Sequence, residues 1–168
     1  MSVSLGEAIE AGAKATALAG VVVAVDQASK AVAVAGVARG HESEVLPFLS
    51  IANVRNTGIA FGAFTGASAA LIGLTIVALI GVLAYVSNGR TGPRMWVSSG
   101  LLIGGALGNL ADRVRIGAVI DWVDLPLWPT FNLADAAIVA GVLCLILIPD
   151  QPPPDAQAPP DAQAPPDA

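Results

Sequence analysis

Four acidic side chains that could act together lie in one short segment of the chain: Asp112, Asp121, Asp124 and Asp135. Two carboxylates within hydrogen-bond reach cannot both ionise cheaply, so one keeps a proton and the other acts as a base. Such a pair can activate water and protonate a departing amine without a metal or a covalent intermediate. Two acids in a membrane protein can equally serve ion passage, so their spacing alone does not decide between hydrolysis and ion passage. Asp124 is the most solvent-like of the four, and we assign it no role.

The other three acids also have purely structural interpretations. Asp121 lies in an apolar, strand-like run and can be a surface-facing strand residue. Asn132 can cap a helix, with Asp135 at the third helical position reaching back to the cap. Asp112 beside Arg113 is most simply a structural ion pair. The residues alone therefore leave the functional and structural interpretations of this segment open.

The composition excludes several classes of function. Hydrophobic residues make up 55% of the chain and charged residues only 12%, whereas soluble domains carry about a quarter charged residues. A lipid-facing surface explains the missing charge. The formal net charge is -5 and there is no basic run, which excludes a nucleic-acid binder. His41 and Cys144 are the only residues of their types, so we predict no zinc cluster, no internal disulfide and no cofactor.

Four apolar stretches approach the roughly 20 residues that a helix needs to cross a bilayer. They span residues 15–37, 67–86, 95–111 and 133–148. Asp26 and Lys30 in the first stretch are four residues apart, so they share a helix face and can form an ion pair. Glycines recur at every fourth position of the third stretch, which predicts close packing at the centre of a helix bundle. We therefore predict an all-α integral membrane protein with four transmembrane helices.

The polar segments complete the predicted organisation. The segment between the first two stretches is long, and we expect it to form a small extracytoplasmic β-like surface segment. Residues 1–149 then form the membrane domain, whereas residues 150–168 repeat proline, alanine and aspartate and are expected to form a disordered tail. The basic residues on the two sides number three and four, so charge does not decide the orientation. If Arg113 and Arg115 belong to a site, cytoplasmic termini are favoured.

Five segments, taken in order, resemble the lipoprotein signal peptidases (signal peptidase II), the aspartic peptidase family A8. Residues 26–30 are similar to Asp-x-x-(Ser/Thr)-Lys, and residues 56–62 to Asn-x-Gly-x-Ala-Phe. Residues 104–113 end the third helix with Gly-Asn-Leu-Ala-Asp-Arg, and residues 117–122 and 131–135 contain the other two aspartates. Each segment alone is a weak signal, but all five with fitting gaps are specific. The resemblance covers nearly all of residues 15–148.

The resemblance implies roles for particular residues. Asp121 and Asp135 match the two catalytic aspartates, although Ile120 and Trp122 depart mildly from the family's Val-Val-Asp-Phe segment. Polar residues that line the family's substrate site are matched by Asn56, Asn109, Arg113 and Asn132. Structural roles fall to Asp26, Lys30 and Asp112. The family's core pattern has no counterpart of the acidic tail.

The resemblance also implies the reaction and its location. Members are inner-membrane proteins of bacteria with cytoplasmic termini and a site near the outer face. They remove the signal peptide from prolipoproteins just before a cysteine that carries diacylglycerol, and globomycin inhibits them. We accordingly expect lipidated prolipoproteins and membrane lipid as partners, no nucleic acid, no metal, and a monomeric enzyme. The competing hypotheses are a transport or proton-relay protein that uses the same acids, and a structural membrane subunit whose acids only cap helices.

Overall fold

The computed structural model describes residues 4–58, 80, 81, 84 and 95–147. Helix α1 (Leu5–Gly36) starts with a capping box, in which the Ser4 side chain accepts from the Glu7 backbone and Glu7 reaches back to Ser4. It ends at Val37, whose backbone is extended. Among the described helices, α1 is the one whose length and hydropathy suffice to cross a membrane.

Helix α2 (Trp96–Ile116) lies between α1 and α3 (Leu133–Leu147). A methyl group added at Gly100 or Gly104 would lie within 3.0 Å of α1 atoms, one at Gly105 would meet α3, and one at Gly108 would meet Asp26 of α1 and Ala134 of α3. The absence of side chains at these positions is what allows the backbones to approach so closely. The prediction that the third apolar stretch is central is confirmed for the helices that the structure describes.

A four-stranded antiparallel sheet covers one end of these helices. Its strands are β1 (Glu42–Leu46), β2 (Leu49–Asn56), β3 (Val119–Leu125) and β4 (Trp128–Phe131), in the order β1-β2-β3-β4. The β-like segment after the first stretch is thus present, but the chain is not all-α as predicted. The segment between the third and fourth stretches forms half of the sheet, because β3 pairs with β2 across more than sixty intervening residues.

Short connections tie the sheet to the helices. Gly117 ends α2 with a φ of 72°, a left-handed conformation that favours glycine, and β3 follows at once. A single residue, Asn132, separates β4 from α3. The segment between α2 and α3, which carries Asp121 and Asp124, is therefore a β-hairpin held between two helix ends.

Two predicted segments fall mainly outside the described residues. The second apolar stretch, 67–86, is described only at Ile80, Gly81 and Ala84, which are helical. The proposed tail, 150–168, lies wholly outside them. The four-helix count and the disordered tail therefore stay predictions.

Candidate active site

Asp121 is a buried carboxylate held by two amides. Its side chain is only 1% exposed. Asn56 Nδ2 donates to Oδ2 at 2.8 Å, and Asn132 Nδ2 donates to Oδ1 at 2.7 Å. The pairing of β2 with β3 places Val54 opposite Asp121 and brings Asn56 to the same end of the ladder. The interpretation of Asp121 as a surface-facing strand residue is thus wrong, because it lies in the interior, where each carboxylate oxygen has a donor.

Asp135 lies in the first turn of α3 and completes a capping box with Asn132. The Asp135 backbone N–H donates to Asn132 Oδ1 at 3.0 Å, and the Asn132 backbone N–H donates to Asp135 Oδ2 at 3.2 Å. Asn109 Nδ2 from α2 donates to the other oxygen, Oδ1, at 2.7 Å. The predicted cap is therefore present, but it does not exhaust the role of either residue, because Asn132 also binds Asp121.

Asn132 joins the two acids into one site. Its side-chain amide donates to Asp121 and its backbone N–H donates to Asp135. Burial raises the pKa of Asp121 above the usual range, and the negative charge of Asp135 raises it further. The hydrogen bonds from Asn56 and Asn132 oppose this rise in the pKa but do not cancel it. The geometry therefore favours a proton on the buried member of the pair.

Beneath the two acids lies a buried ion cluster formed by Asp26, Lys30 and Asp112. Lys30 Nζ lies 2.8 Å from Asp26 Oδ2 and 2.8 Å from Asp112 Oδ2, and all three side chains are at most 1% exposed. The predicted Asp26–Lys30 pair is thus confirmed. The predicted Asp112–Arg113 pair is wrong, because Asp112 binds Lys30 and, at 2.8 Å, Arg115 Nη2 instead. Arg115 lies one helical turn from Asp112 and can reach it, whereas adjacent residues on a helix diverge.

The ion cluster holds the backbone next to each of the two acids. Asp112 Oδ2 accepts from the N–H of Ile120, the residue before Asp121, at 3.2 Å. Asp26 Oδ1 accepts from the N–H of Ala134, the residue before Asp135, at 3.0 Å. Both strand β3 and helix α3 are thereby fixed to the helix pair α1–α2. Residues expected to be merely structural therefore determine where Asp121 and Asp135 lie.

Lys30 also orients an amide of the site. Its Nζ donates to Asn109 Oδ1 at 3.1 Å, which leaves Asn109 Nδ2 to face Asp135. The oxygen and nitrogen of an amide side chain are distinguished by such partners. Because a cation can only donate, Lys30 selects the orientation in which Asn109 donates to Asp135.

Sequence reasoning assigned no role to Gln27 and considered Arg115 only as a possible site member when weighing the orientation. Gln27 Nε2 donates to Asp26 and Asp112 at 3.1 Å each and to the Gly108 carbonyl at 3.2 Å, and its Oε1 accepts from Arg115. The available signal was position: Gln27 lies within the Asp-x-x-(Ser/Thr)-Lys segment, and Arg115 lies three residues after Asp112. Together they cover the rim of the ion cluster.

Arg113 and Asn56 occupy more open positions. Arg113 Nη1 makes only a long hydrogen bond, 3.4 Å, to the Asn109 carbonyl, and it forms no ion pair within the described residues. Asn56 is exposed, and its Oδ1 accepts from the Gly58 N–H at 2.8 Å. These two residues therefore keep donor capacity available near Asp121 and Asp135. Over the same described ranges, no three His, Cys, Asp or Glu side chains form a group suited to a metal ion.

Comparison with known proteins agrees with this arrangement. The family profile described as signal peptidase (SPase) II matches residues 18–149. Two curated relatives named lipoprotein signal peptidase come from Halothermothrix orenii (42% identical, covering 62% of this chain and 75% of the relative) and Moorella thermoacetica (41%, covering 76% and 87%). The chain belongs to the signal peptidase II family.

A solved structure supports the same conclusion at the level of the fold. A bacterial membrane enzyme determined by the in meso method at 1.9 Å resolution superposes with a TM-score of 0.73 at 32% identity, covering 88% of this chain and 94% of the other. Membership of the signal peptidase II family makes the chain a membrane-embedded peptidase that acts as a lipoprotein signal peptidase. Nothing in these matches supports the transport and proton-relay alternative.

Proposed function

We propose that the chain is an aspartic endopeptidase with Asp121 and Asp135 as its catalytic pair. It cuts prolipoproteins on the N-terminal side of a diacylglyceryl-modified cysteine. The observation that carries the proposal is the hydrogen bonding of both carboxylates to Asn132. Asp135 is close enough for its charge to raise the pKa of Asp121, which favours a pair that carries one proton in total.

The pair works in its singly protonated state. Asp121 holds the proton, because burial raises its pKa. Asp135 is the base, since it lies at the N-terminus of α3, where the helix dipole and the backbone N–H groups stabilise negative charge. Asp135 removes a proton from water as the water attacks the scissile carbonyl carbon. Asp121 supplies its proton to the carbonyl oxygen, which gives a gem-diol. As the diol collapses, Asp135 passes the proton that it took from water to the departing amine, and a hydroxyl of the diol returns a proton to Asp121.

The four polar neighbours divide into two kinds. Asn109 and Asn132 are buried and each donates one side-chain N–H to an aspartate, so they fix the pair and bind substrate through the second N–H. Asn56 and Arg113 retain free donors, and we assign them to the peptide backbone and carbonyl groups of the substrate. Asp26, Lys30 and Asp112 act through the backbone and do not touch the substrate.

We place the enzyme in the bacterial inner membrane as a monomer, with cytoplasmic termini and its site near the outer face. Two features support this placement. A diacylglyceryl cysteine keeps the substrate in the bilayer, so its peptidase must meet it there. The site lies where the sheet joins the helix ends, close to the end of the apolar helix α1. Water can reach the pair at such a boundary while the acyl chains remain in lipid.

The test replaces each catalytic aspartate by asparagine in the full-length protein. Asp121→Asn and Asp135→Asn should each abolish processing of a purified, lipidated precursor, measured by gel shift with and without globomycin. Asp124→Asn is the matched control, because Asp124 lies on the same strand and its side chain makes no hydrogen bond or ion pair within the described residues. It should process the precursor as the parent does. Full processing by either catalytic variant, or a requirement for a divalent cation, would contradict the proposal.

A further inference from the structure

The buried ion cluster formed by Asp26, Lys30 and Asp112 carries more negative than positive charge. Its two carboxylates share one ammonium group, and all three side chains are at most 1% exposed. An uncompensated charge in the interior is costly, so a buried cluster of this kind needs further donors or a further counter-ion. We therefore expect a second cation at the rim of the cluster.

Arg115 is a cation at this rim. Its Nη2 lies 2.8 Å from Asp112 Oδ1, and its side chain is 58% exposed, whereas that of Asp112 is wholly buried. The guanidinium group thus reaches from water to the edge of the cluster, and arginine keeps its charge at every physiological pH. With Arg115 included, two carboxylates face two cations, and the cluster is formally neutral.

Gln27 completes the contact between Arg115 and Asp112. Its Oε1 accepts from Arg115, and its Nε2 donates to Asp112 Oδ1 at 3.1 Å. Because a guanidinium group can only donate, Arg115 selects the amide orientation in which Gln27 offers its N–H groups to the cluster. Removal of Arg115 therefore affects both of the donors that hold Asp112 Oδ1.

The two oxygens of Asp112 have separate partners. Oδ1 is held from the rim, whereas Oδ2 lies 2.8 Å from Lys30 Nζ and accepts from the Ile120 N–H at 3.2 Å. A carboxylate group is planar, so donors that hold one oxygen also determine the direction of the other. Ile120 immediately precedes Asp121 on β3. The direction of Oδ2 therefore bears on the position of the Asp121 carboxylate.

The dipole of α2 does not explain these contacts. Arg113 and Arg115 both lie in the last turn of this helix, where basic side chains offset the negative end of the dipole. Such an effect needs no particular acceptor, and Arg113 makes only a long hydrogen bond to a backbone carbonyl. Arg115 instead contacts two polar side chains, one of which lies on α1. Its placement is thus specific to the ion cluster.

We propose that Arg115, together with Gln27, is a positioning residue for the cleavage step. It holds Asp112 so that the Ile120 N–H, and with it the start of β3, keeps Asp121 where proton transfer requires it. This role rests on the proposed function, because it takes Asp121 as a member of the catalytic pair. Displacement of a reacting group slows the chemical step even when the substrate still binds. The effect of Arg115 should therefore fall on kcat and not on KM.

Hydrogen exchange tests the structural half of this proposal without turnover. Arg115→Met keeps an unbranched side chain but removes the charge and every donor. In the detergent-solubilised full-length protein, deuterium labelling followed by mass spectrometry should show a loss of protection in the segment that contains Ile120. Arg39→Met is the matched control, because Arg39 is exposed and forms no ion pair within the described residues. It should leave the protection unchanged.

Kinetics of precursor processing test the catalytic half. Arg115→Met should lower kcat about tenfold with KM unchanged, whereas Arg39→Met should match the parent in both. Arg115→Lys should recover most of the lost kcat, since an ammonium group three residues from Asp112 on a helix can donate to the same oxygen. Arg115→Gln, which keeps a donor without the charge, replaces Arg115→Met if thermal unfolding shows that the latter does not fold. A kcat for Arg115→Lys as low as that of Arg115→Met would overturn the role of the positive charge.

Three further results would overturn the proposal. Equal protection of the Ile120 segment in Arg115→Met and Arg39→Met would show that Arg115 does not hold β3. A raised KM with unchanged kcat would assign Arg115 to substrate binding instead. Faster exchange with unchanged kcat would show that this hold on β3 does not affect cleavage. Failure of the proposed function itself would be recognised separately, as full processing by Asp121→Asn.

Discussion

At the scale of single residues, Asn132 shows how one side chain serves both folding and chemistry. Its side-chain oxygen caps α3 while its side-chain amide donates to Asp121, and its backbone N–H donates to Asp135, the other member of the proposed catalytic pair. The helix therefore cannot start elsewhere without separating Asp121 from Asp135. A structural interpretation and a functional one, which compete when only the sequence is considered, describe the same residue.

The raised pKa of Asp121 predicts a pH dependence. The proposed catalytic pair works with one proton, so activity should fall on the alkaline side as that proton is lost, above the usual aspartate range. Asn56→Ala removes a hydrogen bond that lowers the pKa of Asp121, so it should move this alkaline limb to higher pH. The profile of kcat/KM against pH measures the shift. A lower rate with an unmoved limb would contradict this role of Asn56.

The same raised pKa has a consequence for stability. Folding makes Asp121 bind its proton more tightly, so lowering the pH through the raised pKa favours the folded state. An aspartate with a depressed pKa would have the opposite sign, losing its contribution as the pH falls. Asp121 alone therefore contributes more stability under mildly acidic conditions than at neutral pH.

Among the charged side chains, we expect removal of Lys30 to cause the largest loss in the free energy of unfolding. Lys30→Met leaves Asp26 and Asp112 buried without their shared cation, which should cost about 3–5 kcal/mol in the free energy of unfolding. Lys14→Met is the control, because the Lys14–Glu10 pair has the same i,i+4 spacing on α1 but is exposed. Its cost should be at most about 1 kcal/mol. Thermal unfolding in detergent compares the two, and equal losses would contradict the role of the cluster.

At the scale of elements, α2 positions the site by bringing two helices close on opposite sides. Gly104 faces Ala19 and Val22 of α1, while Gly105 faces Ala134 and Ile138 of α3. The same helix supplies Asn109 and Asp112, one to each half of the site. Small residues on α2 are therefore as important for the catalytic geometry as the polar residues that follow them.

Gly105→Ala tests this positioning. Its methyl group would collide with the Ala134 carbonyl and Ile138, which should displace the first turn of α3 and with it Asp135. We expect a loss of about 1–3 kcal/mol in stability from overpacking, together with reduced kcat. Gly20→Ala on α1 meets no atom within 4 Å and should instead be neutral or stabilise by roughly 0.5–1 kcal/mol. Thermal unfolding and the gel-shift assay report the two effects, and normal kcat in Gly105→Ala would contradict the prediction.

At the scale of the whole molecule, the sheet connects segments that are far apart in sequence. Strand β2 brings Asn56, and β3 brings Asp121, while α2 and α3 supply Asn109 and Asp135. The ion cluster of Asp26, Lys30 and Asp112 then links the helix pair α1–α2 to strand β3 and to helix α3. Apolar helices and a polar end are what an enzyme for a lipid-anchored substrate requires.

The C-terminal tail gives a prediction at the same scale. The family profile ends at residue 149, before the proline-rich repeats begin. A protein that stops after residue 149 should therefore process lipidated precursor as well as the full chain does. The gel-shift assay compares the two forms at equal concentration in the membrane. A marked loss of processing would show that residues 150–168 have a role in the reaction.

The sequence by itself determined the membrane class and the signal peptidase II family, and it singled out Asp121 and Asp135 as the proposed catalytic pair, because long apolar stretches and short ordered motifs are local properties. It did not determine the extent of the sheet, the partner of Asp112, or the parts played by Gln27 and Arg115. Those depend on strand pairing and on which helix faces meet, and both are set by contacts between distant segments.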